Sequence, residues 1–202
     1  MTEITGSIAW SDLLEDHFKK TAERAYGLSL IHKMAEARYS HLRSIVELPL
    51  IILQVINGAA SVGSGSLFDD PKFASIGVGA VAILGAIISA IGSYFKWGAR
   101  TEGHRISSIQ YGRLHRWLVV NLGLPREERP PAVEILKFVR TEYDRLQEIS
   151  PLVPPQIVVA FQTKYGKKYP GVALPSECNG LEAVAVNRGE RAEIELVLSD
   201  KI

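Results

Sequence analysis

Apolar residues are concentrated in two long stretches of the chain. Residues 48–68 and 73–95 contain no Asp, Glu, Lys or Arg, and each is close to the roughly 20 residues that a helix needs to cross a bilayer. The second stretch is the more apolar; it lies between Lys72 and Lys96 and would form a helix about 34 Å long. This pattern predicts a two-span transmembrane hairpin, with the lipid bilayer as its first partner.

Polar residues interrupt the first span on one side. Gln54, Asn57 and Ser61 are three and four residues apart, so they share one face of a helix. An amide that faces lipid costs free energy. The face therefore indicates either a contact with the neighbouring helix, which we favour, or the lining of a water-filled pore.

Small residues recur every four positions along the second span. They form two candidate helix-packing faces, Ala82, Ala86 and Ala90 on one and Gly85, Ser89 and Ser93 on the other. Small side chains let helix backbones approach closely in lipid. Since one hairpin partner needs only one such face, the pattern predicts self-association within the membrane. The alternative is that the second face is simply rich in alanine.

Aromatic and basic residues predict how the hairpin sits in the membrane. Tyr94, Phe95 and Trp97 stand at the end of the second span, where an interfacial aromatic belt is expected. The turn at residues 69–72 carries one basic residue, Lys72. Basic residues are frequent before the first span and after the second: Lys19, Lys20, Arg24, Lys33, Arg38, Arg43, Lys96, Arg100, Arg105, Arg113 and Arg116. Both termini are therefore predicted on the cytoplasmic side.

Helical periodicity continues on both sides of the hairpin. Residues 12–43 fit an amphipathic helix, capped by Asp12 with Glu15 as its reciprocal partner. We expect it to enter the first span and to break only near Pro49. Its predicted apolar positions are Leu13, Leu14, Phe18, Ala22, Ala25, Leu28 and Ile31 or His32. A helical stalk is predicted over residues 96–124, packed antiparallel to the first helix, with apolar positions Ile106, Ile109, Tyr111, Leu114, Leu118 and Val119.

The C-terminal third is predicted to be a small cap. A helix is expected over residues 131–149, then a proline-rich connector, then a short helix from Pro154 or Pro155 that Gly166 stops. Residues 181–198 fit a β-hairpin, with a short helix as the alternative. The fold class is thus an all-α membrane protein with a hairpin and long amphipathic helices. Its divisions are residues 1–47, 48–95, 96–124, a helical cap at 125–168 and a tail at 169–202.

Composition narrows the function classes. A net charge of +1 lacks the basic surplus of a nucleic-acid binder, and 47% hydrophobic residues exclude a disordered chain. Cys178 is alone, and no nucleotide, zinc-protease, serine-hydrolase or EF-hand motif occurs. His104 and His115 would lie about 16 Å apart on a helix, too far to share a metal. We predict a non-enzymatic protein with no catalytic, metal-binding or cofactor-binding residues and no cofactor, and a solvated turn at residues 126–129.

The order of elements resembles a known family. A helix led by Trp10, two spans with a short turn and a following helix resemble the two-transmembrane SLATT-type families over about residues 10–165. Residues 143–161, YDRLQEISPLVPPQIVVAF, are similar to the segment after the hairpin in versions carried by large DNA viruses. Bacterial members resemble membrane-permeabilising effectors of nucleotide-activated defence systems. Viral members are encoded by large icosahedral viruses that carry an internal lipid membrane.

Three functions follow as expectations. The viral resemblance implies a structural component of the virion, a minor capsid protein that links the inner membrane to the capsid layer. Residues 125–202 would then contact protein partners, including capsid proteins. The first alternative is an oligomeric pore-forming effector, with Gln54, Asn57 and Ser61 lining its path. The second alternative is a subunit of a cellular membrane complex.

Overall fold

The computed structural model describes residues 8–67 and 71–180, and all of its regular elements are helical. They are α1 (Asp12–Leu67), α2 (Pro71–Phe95), α3 (Trp97–Gly123), a 3-10 turn (Arg126–Glu128), α4 (Ala132–Ile149), α5 (Pro155–Phe161), a π-helical turn (Gln162–Gly166) and α6 (Ser176–Asn179). The all-helical prediction is confirmed for this part of the chain. The predicted β-hairpin at residues 181–198 and part of the inter-span turn lie outside it.

Helix α1 unites the predicted amphipathic helix and the first span. It has 56 residues and continues through Pro49, so the break expected there is wrong. Proline removes one hydrogen bond, to the carbonyl of Ile45, but Pro49 is exposed and the helix on both sides keeps its own bonds. At about 84 Å, α1 is far longer than a bilayer core is thick.

The predicted cap of α1 is also wrong. Ser11 Oγ accepts a hydrogen bond from the Leu14 N–H at 3.3 Å, so Ser11 caps the helix in place of Asp12. The carboxylates of Asp12 and Glu15 instead bind Arg126, from the turn after α3. These long-range ion pairs with Arg126 form instead of the predicted capping box between Asp12 and Glu15.

A single residue separates α2 from α3. Lys96 has φ 50° and ψ 39°, the left-handed conformation, and is the only non-glycine residue with positive φ among those described. As predicted, the helix after the second apolar stretch follows it directly, but a break at Lys96 divides the two into α2 and α3. A side chain in this conformation carries a steric cost.

Reciprocal hydrogen bonds fix the antiparallel register of α1 and α3. The Ser29 hydroxyl donates to the Ser108 carbonyl at 2.8 Å, and the Ser108 hydroxyl donates to the Ser29 carbonyl at 2.9 Å. Gly112 allows this close approach, because a Cβ there would lie 3.2 Å from Ser29 Oγ. The predicted two-helix stalk is thus held by hydrogen bonds from serine hydroxyls to backbone carbonyls, at a close approach that leaves little room for larger side chains.

The main core lies between α1, α3 and α4. Its buried members are Phe18, Ala22, Ala25, Leu28, Tyr111, Leu114, Leu118, Ile135, Val139 and Leu146. Four predicted apolar positions are exposed instead, namely Leu13, Ile106, Ile109 and Val119. The stripe of α3 that meets α1 contains His104, Ser107 and Tyr111, so Ile106 and Ile109 point away from the seam.

The cap packs on α1 through a second, smaller core. Ile157 and Phe161 of α5 are buried against Ile31 and Ala35.

The N-terminal end of the bundle is closed by Arg129, which binds Glu15 at 2.7 Å and lies over the ring of Trp10. The predicted solvated turn at residues 126–129 is therefore wrong for Arg129. Hydrogen bonds from Arg126 and Arg129 lower the pKa of Glu15 to about 2.

Candidate functional sites: the apolar hairpin, a histidine pair and a cleft

The apolar halves of α1 and α2 leave most of their surface uncovered. Each contains an 18-residue window apolar enough to cross a membrane, of which 0% is buried in the first and 6% in the second. Large apolar side chains are exposed along both helices, including Ile52 at 60% and Ile83 at 64%. Exposed apolar surface of this extent marks contact with lipid or with other protein.

Of the three predicted polar positions on the first span, Gln54 meets α2. Its amide lies directly over Gly85, where a Cβ would overlap it, and Leu50 lies beside the same glycine. Asn57 is partly buried and Ser61 is exposed. Gln54 thus contacts α2 through its amide, while the residue as a whole stays exposed.

The small residues of α2 separate into one that packs within the hairpin and five that do not. Gly85 is buried against α1. The other candidate packing residues are exposed, namely Ala82, Ala86, Ser89, Ala90 and Ser93. An uncovered face of Ala82, Ala86 and Ala90 is thus available for a second helix.

Aromatic and charged side chains mark the end of the apolar region. Tyr94 is 81% exposed and Phe95 is 45% exposed, and Phe95 stacks on the half-buried Trp97 at 5.4 Å. On the facing helix Arg43 binds Glu47 at 2.7 Å. This is the composition expected where a helix pair leaves the hydrocarbon and enters the headgroup region.

Two buried histidines meet in the seam between α1 and α3. His32 Nδ1 lies 2.9 Å from His104 Nδ1, and the two side chains are only 2% and 1% exposed. Tyr111 stacks on His32 and Tyr39 stacks on His104. Because two Nδ1 atoms share one hydrogen bond, one imidazole donates and the other must be unprotonated at Nδ1.

Burial keeps both imidazoles neutral. It lowers the pKa of His32 to about 4, and repulsion between the two rings when both are protonated adds to the effect. Burial also lowers the pKa of His104, and Arg100 contributes to the shift. If both imidazoles were protonated, their hydrogen bond would break, because both Nδ1 atoms would then be donors. Within residues 8–67 and 71–180 no three His, Cys, Asp or Glu side chains converge as metal ligands would.

A cleft of about 600 Å³ opens beside the histidine pair. His32 and Tyr111 form its floor, and the connector after α4 with α5 and α6 forms its walls. The remaining lining residues are Gln147, Ser150, Pro151, Leu152, Val153, Pro155, Val158, Val159, Gln162, Glu177 and Cys178.

Neither the histidine pair nor the cleft is among the sites predicted from sequence. His32 and His104 are 72 positions apart, so periodicity along one helix says nothing of their contact. The available signal was that the apolar register of α1 includes position 31 or 32, and both Ile31 and His32 are buried. A polar residue in a core register needs a hydrogen-bond partner.

Comparisons with known proteins identify no family for this chain. The chain matches no protein-family model, and no curated protein or solved structure is significantly similar to it. The resemblance to SLATT-type families remains a prediction from sequence.

Proposed function

We propose that this chain is a non-enzymatic two-pass integral membrane protein whose hairpin anchors a helical bundle to a lipid bilayer. The change in burial along α1 carries the proposal. Between Phe18 and Tyr39 one face of α1 is buried in a core. Between Ile45 and Val62 most of the large apolar side chains of the same helix are exposed, and none is buried. Lipid would cover this second half as protein covers the first.

One matched pair of substitutions tests the anchor. Ile87 on α2 and Ile109 on α3 are each 51% exposed, but only Ile87 lies in the proposed span. Ile87→Lys places a charge at the proposed membrane centre, which costs about 2.5–3.5 kcal/mol on insertion scales. Ile109→Lys places the same charge on a surface that we assign to water. The measurement is the fraction of protein that stays in membranes after alkaline carbonate extraction.

We expect Ile87→Lys to release a substantial fraction of the protein and Ile109→Lys to behave as wild type. Equal retention of the three proteins would contradict the assignment of α2 to the membrane. Complete extraction of the wild-type protein would contradict the proposal that the hairpin is a membrane anchor.

For orientation we propose that both termini face the cytoplasm, on the basic-residue bias around the hairpin. The partner surface is proposed within residues 125–202. In the described portion of that range Ile149 is 52% exposed and Leu152 is 94% exposed, which suits a protein contact.

For the setting we propose the inner membrane of a virion, with the capsid layer as partner. This rests on the resemblance of residues 143–161. The test is mass spectrometry of purified particles, in which a structural component occurs at a fixed ratio to the major capsid protein. Its absence from the particle would leave the anchor in place and direct the search to a cellular membrane complex.

Self-association is proposed through the uncovered alanine face of α2. Ala86→Leu would thicken that face without touching the Gln54–Gly85 contact. We expect it to reduce the dimers and larger species seen after chemical crosslinking in lipid, since close helix approach needs small side chains. Ile83→Leu serves as the control because it changes no small residue. A crosslinking pattern with only monomer in the wild type would overturn this proposal.

The packing of Gln54 favours an anchor over a pore. Liposomes that contain the purified protein are accordingly expected to retain an encapsulated dye. Leakage that disappears when Asn57 and Ser61 are both replaced by Leu would instead identify the pore-forming effector.

A further inference from the structure

The cleft beside the histidine pair has the size of a small-molecule site. Its volume of about 600 Å³ lies within the range of ligand pockets. Much of its wall is apolar, and part of that wall faces solvent, since Leu152 is 94% exposed and Val159 is 59% exposed. An apolar ligand body would remove this surface from water.

The charge of the lining selects the kind of ligand. Glu177 is its one carboxylate, and no Lys or Arg of the described residues lines the cleft. His32 contributes no positive charge, because burial lowers its pKa to about 4. The cleft is therefore negative, which favours a cation and opposes phosphate or carboxylate ligands.

Two ionisable groups that line the cleft have raised pKa values, mainly because they are buried. Burial raises the pKa of Cys178 to about 11, and Glu177 adds to the rise. Burial also raises the pKa of Tyr111 to about 12, against the opposing effect of a hydrogen bond with Ser150 and with smaller contributions from Tyr143 and Glu177.

A buried hydroxyl lies in the same lining. Ser150 Oγ is shielded from solvent, and its neighbour is the Tyr111 hydroxyl. A hydroxyl oxygen has two acceptor lone pairs, so Ser150 can accept a hydrogen bond from a ligand as well. An ammonium group offers three donors and no acceptor, which complements a hydroxyl oxygen and a carboxylate.

We propose that this cleft binds a small organic amine with an apolar body. The ammonium group lies beside Glu177 and Ser150. The body packs against Val153 and Val158, where the wall is apolar. This site is separate from the membrane hairpin and does not depend on the anchoring role.

Two probes of opposite charge test the proposal. Tryptamine and indole-3-propionate share an indole ring and differ in carrying an ammonium or a carboxylate. The protein is used at full length in phosphatidylcholine nanodiscs, whose lipids have no net charge. Cys178 is the sole cysteine of the chain and lines the cleft, so its alkylation by iodoacetamide reports occupancy.

We expect tryptamine, at up to about 10 mM, to slow alkylation of Cys178 at least about twofold, which corresponds to a Kd in the millimolar range or below. Indole-3-propionate is expected to leave the rate unchanged. Equal protection by the two probes, or none by tryptamine, would overturn the proposal.

A matched pair of variants locates the charge that selects the amine. Glu177→Gln removes the cleft carboxylate, whereas Glu148→Gln removes an exposed carboxylate outside the lining. We expect E177Q to weaken tryptamine binding about 2- to 5-fold and E148Q to leave it unchanged. Ligand-observed NMR measures the affinity independently of the thiol, whose own pKa changes in E177Q. Equal affinities in the two variants would remove Glu177 from the site.

Discussion

The individual residues that distinguish this bundle are polar groups at its centre. The His32–His104 pair joins α1 to α3 through one hydrogen bond, enclosed by Tyr39 and Tyr111. The reciprocal Ser29–Ser108 bonds lie next along the same seam. Buried polar groups that satisfy one another specify a single register for two helices, at the risk of a large cost when one of them changes its protonation.

The histidine pair predicts acid sensitivity of the bundle. The folded-state pKa of His32 is about 4, below the ordinary 6.5, so the unfolded chain binds more protons between these values. Stability is therefore fully present above about pH 6.5 and is lost as the pH falls toward 4. The loss from His32 is about 3 kcal/mol. Chemical unfolding followed by circular dichroism at several pH values measures it.

Two variants separate this effect from the titration of carboxylates. Replacing His32 and His104 together by Phe is expected to flatten the pH dependence, while replacing the exposed His41 by Phe leaves it intact. An NMR titration follows the buried imidazoles directly in the wild type. Imidazole resonances of His32 that titrate near pH 6.5 in the folded protein would contradict the account.

Sequence could place these residues on helices but could not pair them. The periodicity of α1 predicted that position 31 or 32 faces a core. The periodicity of α3 led to Ile106 and Ile109, which are exposed, because nothing local shows which stripe meets α1. Gly112 lets α1 approach on the observed side, because a Cβ there would lie 3.2 Å from Ser29 Oγ.

At the scale of elements, prolines and glycines in the sequence predicted where helices begin and end. The helix expected over residues 131–149 is observed as Ala132–Ile149, and the short helix expected from Pro154 or Pro155 begins at Pro155. Proline and glycine act through their own backbones, so their effect is visible in sequence. The break at Lys96 was missed because lysine carries no preference for the left-handed conformation.

Lys96 provides a prediction with an internal control. Lys96→Gly removes the steric cost of a left-handed side chain, so it should stabilise the protein by about 1 kcal/mol. Lys33→Gly, at an exposed site inside α1, should destabilise it by about the same amount. Chemical unfolding in the same detergent compares the two variants. Destabilisation by both would show that residue 96 is helical in the protein.

At the scale of the whole molecule, the burial of apolar side chains changes along α1. The first half of α1 packs with α3 and α4 around a buried core, and the second half of α1 with α2 exposes apolar side chains. The antiparallel stalk was predicted from sequence because both helices must emerge from one hairpin. The folding of α5 onto Ile31 and Ala35 was not predicted, since it depends on contacts far apart in the chain.

The most direct test of the membrane hairpin is the sidedness of two single-cysteine proteins. Both carry Cys178→Ser; one adds Asp70→Cys in the inter-span turn and the other adds Glu148→Cys on α4. A membrane-impermeant maleimide is applied to intact cells and to inverted membrane vesicles. The account predicts labelling of D70C only in cells and of E148C only in inverted vesicles. Labelling of both cysteines from the same side of the membrane would contradict the two-pass hairpin.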